Sequence, residues 1–149
     1  MTHGPSAAVI AAWAALLRAE RGVVAAVEAD LKSAGLLSPL EYDLLLELGR
    51  ADEAGLRPME LEARLGLAQY RVSRLVERLC KSGAARRRPC AEDGRGALVA
   101  ITVEGRGLLK SMWPLYAAAI DRHLGARLDP VEANDLARIL SVLTREGET

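Results

Sequence analysis

Phenylalanine is absent from this chain and aromatic residues make up only 3% of it, so a core has to be assembled from Leu, Val and Ala, a palette that favours helices. There are only two cysteines. Cys80 falls on the apolar side of a helical pattern, which argues against a disulfide framework. His3 and His123, the two histidines, stand far from each other and from Cys80 and Cys90, so the close ligand spacing of a zinc site is missing. No apolar run reaches the length of a membrane span, and no basic segment leads into an apolar run with a small-residue cleavage site. A soluble, cytoplasmic protein without membrane, metal or cofactor is therefore expected. The sequence also lacks a phosphate-cradling Gly-rich loop, a Gly-x-Ser-x-Gly elbow and a His in a recognisable triad. Its many Asp and Glu residues follow exposed helix faces, where charge needs no catalytic explanation, so no enzyme activity is expected.

What is present is a 149-residue chain, half apolar, which fits a single domain over 1–149 with enough material for a real core. Its net charge is zero, but the charge is unevenly spread. From Arg64 to Arg95 nine cations face three anions, a local balance of +6, whereas Glu28 to Glu62 carries nine anions against three cations. A run of charge alone is commonly a solvated helix face. Here the cations fall on two consecutive elements that a nucleic-acid reader would turn outward.

The periodicity predicts a long first helix from Ser6 to about Lys32, with Gly22 weakening its middle. Ser38-Pro39-Leu40-Glu41 reads as a capping box opening a second helix, whose buried stripe of Leu40, Leu44, Leu45 and Leu48 ends before Gly49. Residues Arg50 to Gly55 form a polar connector. Pro58 starts a short third helix that Gly66 ends. A fourth runs from about Ala68 to Ser82, with Val72, Leu75, Val76 and Leu79 on one side and Tyr70, Arg71, Arg74, Glu77, Arg78 and Lys81 on the other. Ala84 to Arg88 and Ala97 to Val103 read as paired strands around a turn-rich loop, Pro89 to Gly96. Thr102 caps a helix running from about Val103 to Gly125, which Pro114 should kink. Asp129-Pro130 opens a last helix bearing Leu136, Ile139, Leu140 and Leu143.

This order predicts a mostly α fold with a small β-hairpin wing. A helical dimerisation region is expected at 6–36 and 104–146 and a winged helix-turn-helix region at 37–103. One helix braces, the next enters a groove of double-stranded DNA, and the hairpin reaches the neighbouring backbone. The residues expected to face DNA on the fourth helix are Gln69, Tyr70, Arg71, Ser73, Arg74, Arg78 and Lys81. Its N-terminal part should lie deepest, so that Tyr70, Arg71 and Arg74 meet bases while Arg78 and Lys81 lean toward phosphate. Alternation along the first strand sends Arg86 and Arg88 one way, toward phosphate, and Arg87 the other.

The residues also carry a family resemblance. Leu37-Ser38-Pro39-Leu40-Glu41-Tyr42-Asp43-Leu44-Leu45, Leu61-Glu62-Ala63-Arg64-Leu65-Gly66-Leu67, Val72-Ser73-Arg74-Leu75-Val76-Glu77-Arg78-Leu79, Lys81-Ser82-Gly83, Asp93-Gly94-Arg95 and Ile101-Thr102-Val103-Glu104-Gly105-Arg106 occur in an order and spacing that resemble the MarR family of bacterial regulators. The match is best from Leu37 to Leu109. The resemblance implies a homodimer held by the first, fifth and sixth helices, with paired recognition helices in adjacent major grooves of a near-palindromic operator. It further implies that Arg95 enters the minor groove and Asp93 steadies it, and that Ser73 and Arg74 occupy the family's Ser/Thr-Arg positions. The sequence departs from the family at Ala68, where a capping Ser or Asp is common, and at Tyr70 and Arg71, which replace smaller residues. Base preference therefore does not carry over from relatives.

Trp13, Tyr42, Trp113 and Tyr116 are candidates for the pocket in which such regulators accept small aromatic molecules, with core or interface packing as the alternative. A ligand-responsive repressor is the reading that joins these features. Two others stay open: redox regulation through Cys90, whose neighbouring arginines would favour its thiolate, and a winged-helix protein-interaction module that does not bind DNA. The cationic face argues against the latter, because protein interfaces are depleted of charge at their core.

Overall fold

A computed structural model of the chain describes residues 4–89 and 97–144. The chain divides into two compact units, one spanning Leu31–Leu115 and the other combining Met1–Asp30 with Tyr116–Thr149. Among the described residues, no helix is long and apolar enough to cross a membrane.

The elements follow the expected order. The first helix, however, is not continuous: α1 (Ala7–Ala19) passes through a π-helical turn, Glu20–Val24, into α2 (Ala25–Ser33). Gly22 sits at the centre of that turn. A glycine is where a helix interior is already weakest, so the wider turn is accommodated there at least cost. Ser6 caps α1 by accepting from the backbone N–H of Val9.

In the Leu31–Leu115 unit, α3 (Pro39–Ala51) opens on the expected capping box. The Ser38 hydroxyl accepts from Glu41 N–H at 3.2 Å, and Glu41 Oε2 accepts from Ser38 N–H at 2.9 Å. Contrary to the sequence reading, α3 runs through Gly49 and Arg50. A glycine costs a helix only about 1 kcal/mol, and packing outweighs it here: a Cβ at Gly49 would sit 3.5 Å from Leu109 and 3.7 Å from Ile101. The stop falls at Asp52, whose φ of 56° ends the helix and starts a 3-10 turn, Asp52–Ala54.

Helix α4 (Pro58–Leu65) ends on Gly66 in the left-handed conformation, followed by α5 (Gln69–Lys81). Strands β1 (Ala85–Pro89) and β2 (Ala97–Ile101) pair antiparallel, with Arg86 opposite Ala100 and Arg88 opposite Leu98. β2 is shorter than expected because Thr102 has already turned to cap the next helix, its Oγ1 accepting from Gly105 N–H at 3.0 Å. Leu56 joins the hairpin through two hydrogen bonds of 2.8 Å with Val99. The core of the unit is Leu44, Leu45 and Leu48 from α3, Leu61 from α4, Val72, Leu75, Val76 and Leu79 from α5, and Val99 and Ile101 from β2.

Helix α6 (Val103–His123) continues through Pro114, shorter at its end than predicted, and α7 (Pro130–Thr144) follows. Asp129 caps α7, its Oδ1 accepting from Val131 and Glu132 N–H. Neither α1 nor α7 contains a buried residue.

Candidate nucleic-acid interface

The four apolar residues of α5 explain how its cations are displayed. Val72, Leu75, Val76 and Leu79 are buried, and at 3.6 residues per turn this fixes the opposite side as the outward one. Gln69, Tyr70, Arg71, Ser73, Arg74, Arg78 and Lys81 are all exposed. Within this set Tyr70, Arg74 and Lys81, together with the anionic Glu77, form the central outward row. The helix begins at Ala68, which provides no side-chain cap.

Two of the expected phosphate-facing residues have partners inside the protein. Arg78 lies 3.6 Å from Glu41 Oε1, so the carboxylate that closes the α3 capping box also fastens α5 to α3. Arg88 donates from Nη1 to the carbonyl of Glu53 at 2.6 Å, tying β1 to the 3-10 turn. Arg86 is exposed, as expected, and so is Arg87. Asp93, Arg95 and Cys90 lie outside the described residues.

The base of the hairpin is clamped by long-range contacts that sequence reasoning missed. Asp52 forms an ion pair with Arg106 in the first turn of α6. Thr102 Oγ1 donates to the carbonyl of Gly83 at 2.6 Å, and Thr102 N–H bonds the carbonyl of Ala84. Gly105 is required by the same joint, because a Cβ there would collide with the Ala84 carbonyl oxygen. None of these pairs has a spacing that a helix or strand period would reveal, so the sequence offered no signal for them.

Cys80 is partly buried against the core, and burial pushes its thiol up in pKa, partly offset by the charge of Arg87. Of the four candidate pocket aromatics, Tyr42 and Trp113 are brought together, their rings stacked at 6.2 Å between centroids and 28° between planes. Burial, reinforced by the charge of Asp43, raises the Tyr42 hydroxyl above its usual range, so it remains protonated. Trp13 and Tyr116 belong to the other unit. Trp13 is exposed on α1.

A short helix, a turn, a helix with a cationic outward face and a two-stranded wing together define a winged helix-turn-helix protein. The MarR family model matches residues 37–96. No curated protein sequence matches the chain. Among solved structures, the fold is similar to Sco3205, a MarR family transcriptional regulator from Streptomyces coelicolor in complex with DNA, with a TM-score of 0.86, 24% identity, and coverage of 100% of this chain and 95% of that one. Sco5413, a MarR family regulator from the same organism, matches with a TM-score of 0.80 and 28% identity over 93% of this chain and 94% of that one. BpsR of Bordetella bronchiseptica, whose DNA binding is regulated by 6-hydroxynicotinic acid, matches with a TM-score of 0.82 and 21% identity over 97% and 100%. Residues 37–96 thus carry the MarR family match, and the fold of the chain is similar to that of MarR family transcriptional regulators.

Proposed function

We propose that this protein is a homodimeric repressor that binds a near-palindromic DNA operator through α5 and the wing, and releases it when a small aromatic ligand binds. The observation that carries the reading is the two-sided α5, whose apolar side is buried in the core while Arg71, Arg74 and Lys81 stand exposed. Such a helix presents cations to a major groove without giving up any packing. Tyr70, Arg71 and Arg74 are assigned to bases and Lys81 and Arg86 to phosphate, while Arg95, steadied by Asp93, is assigned to the adjacent minor groove. Arg78 and Arg88 must leave Glu41 and the Glu53 carbonyl, or share with them, in order to reach phosphate. Sco3205, in complex with DNA, is a structural precedent for the fold in this role.

The dimer is inferred from the two helices without a buried residue. Val9, Ile10, Trp13 and Leu16 on α1, and Leu136, Ile139, Val142 and Leu143 on α7, are exposed, and so large an apolar surface calls for a partner, here a second copy. Ligand response draws on the stacked Tyr42 and Trp113, and on BpsR, whose DNA binding an aromatic acid regulates. A ligand need favour the non-binding dimer by only about 1.4 kcal/mol to weaken the operator complex tenfold.

Binding to a two-fold-symmetric operator, titrated with salt, tests the reading. Affinity should fall steeply with salt. Arg74→Ala should cost about 1–3 kcal/mol and relax preference at particular positions, and Arg95→Ala should weaken specific and nonspecific complexes alike. Unchanged affinity and salt slope in both variants would falsify this assignment of the surface.

A further inference from the structure

The outward row of α5 contains one residue that attraction to phosphate does not explain. At about 100° per residue, Tyr70, Arg74, Glu77 and Lys81 all fall within about 30° of the line opposite the buried side of the helix, and all four are exposed. Arg71 and Arg78 lie about 70–90° to one side of that line and Ser73 about 70° to the other. A helix seated in a major groove turns its outermost line to the base edges and its flanks to the phosphate walls. The anionic Glu77 is therefore aimed at bases, between Arg74 and Lys81.

Its carboxylate is uncommitted inside the protein. Arg74 stands one turn before it and Lys81 one turn after, yet among the described residues Glu77 makes neither an ion pair nor a side-chain hydrogen bond. Carboxylates one turn from an arginine do pair elsewhere, Glu47 with Arg50 at 2.5 Å and Asp135 with Arg138 at 3.2 Å. Arg78, next to Glu77 in the chain, is drawn instead to Glu41. In a groove walled by phosphates a free carboxylate repels DNA unless a base donates a hydrogen bond to it. Two bases carry an amino donor on the major-groove edge. Adenine N6 stands beside the acceptor N7, which repels a carboxylate, whereas cytosine N4 has no acceptor on its own edge. An ionised carboxylate only accepts, so cytosine is the base that Glu77 fits. The acceptors of the paired guanine, O6 and N7, suit an arginine such as Arg74.

Building on the proposed seating of α5 in a major groove, we infer that Glu77 is a specificity-determining residue. Its carboxylate accepts from the N4 amino group of a cytosine in each half-site and disfavours every sequence that lacks one there. The cations around it attract any duplex, because phosphate contacts carry no sequence information. Glu77 adds a repulsion that only the matching base removes, and discrimination between sequences is built from such opposed elements.

Wild-type, Glu77→Ala and Glu77→Gln proteins, all full length, provide the test through selection from a randomised duplex pool and titration of poly(dA-dT), which has no cytosine. The wild type should enrich a cytosine at two symmetric positions, and exchanging it for thymine in the selected site should weaken binding about fivefold or more. Glu77→Ala should lose that preference while keeping the positions read by Arg74, and both variants should bind poly(dA-dT) severalfold more tightly. Glutamine matches glutamate in size and helix propensity and bonds adenine N6 and N7 together. The base selected by Glu77→Gln should therefore change from cytosine to adenine. The same selected cytosine in all three proteins, or no gain on poly(dA-dT) in either variant, would overturn the inference, and so would adenine at that position in the wild-type site. Those results would leave operator binding by α5 standing. A wild-type protein that selects no sequence and binds duplexes without salt dependence would instead remove that reading, and this inference with it.

Discussion

Gly55 and Gly66 both have positive φ, 69° and 62°, but their surroundings differ. A Cβ at Gly55 would lie 2.7 Å from the carbonyl oxygen of Val99, whereas one at Gly66 meets nothing within 4 Å. Gly66→Ala should therefore cost only the left-handed backbone strain, about 1–2 kcal/mol. Gly55→Ala adds a backbone collision at the base of the wing and should cost more, which chemical denaturation of the two variants would show. Asp30 links residue chemistry to pH. Its hydrogen bond with His123 and the charge of Arg122 outweigh partial desolvation and hold its carboxyl below the usual range. A depressed carboxyl stabilises the fold fully above its unfolded value, near pH 4, and that stability fades as pH falls through the lower folded value. Asp30→Asn should consequently flatten the acid limb of a melting-temperature profile. Cys80 should react slowly with thiol reagents in the native protein at neutral pH, because its raised pKa leaves little thiolate. A Cys80 that reacted as fast natively as in denaturant would contradict that environment.

Helix ends decide much of what happens at the level of elements. Ser38 and Glu41 cap α3 reciprocally, and Asp129 does so for α7 with Glu132. Helix α5, to which DNA contact is assigned in the proposed function, instead starts on Ala68 without a side-chain acceptor. Ala68→Ser should supply one and stabilise the protein by about 0.5–2 kcal/mol, and Ser38→Ala should cost a similar amount. Paired thermal melts would check both signs. Glu41 makes the α3 cap more than a local device, since its second oxygen faces Arg78 on α5. In Glu41→Gln the cap hydrogen bond persists while the ion pair is lost. If the pair restrains Arg78, that variant should bind DNA with a steeper salt dependence, as one more cation becomes free for phosphate.

For the whole molecule, the division into two units separates the tasks. Leu31–Leu115 contains the principal apolar core and the cationic helix, so the surface proposed to contact DNA rests directly on that core. The other unit holds two helices with no buried residue, and its stability is expected to depend on a partner subunit. Sedimentation at micromolar concentration should find a dimer. Replacing Ile139 and Leu143 together by Glu should lower the melting temperature and make it depend on protein concentration. A folded monomer of unaltered stability would contradict the dimer.

The sequence by itself determined the order of the helices, the capping of α3 and α7, the Gly66 turn and the two sides of α5, because each follows from local backbone preference or from a helical period. It also determined the family resemblance, carried by short motifs in the right order. Only the tertiary structure decided that α3 passes Gly49, since the packing of Leu109 and Ile101 against it is not encoded nearby. The same is true of the partners of Arg78, Arg88, Arg106 and Asp30. These contacts join residues far apart in sequence. Hydrophobic collapse brings them together, and no periodicity along the chain records which distant side chains will meet.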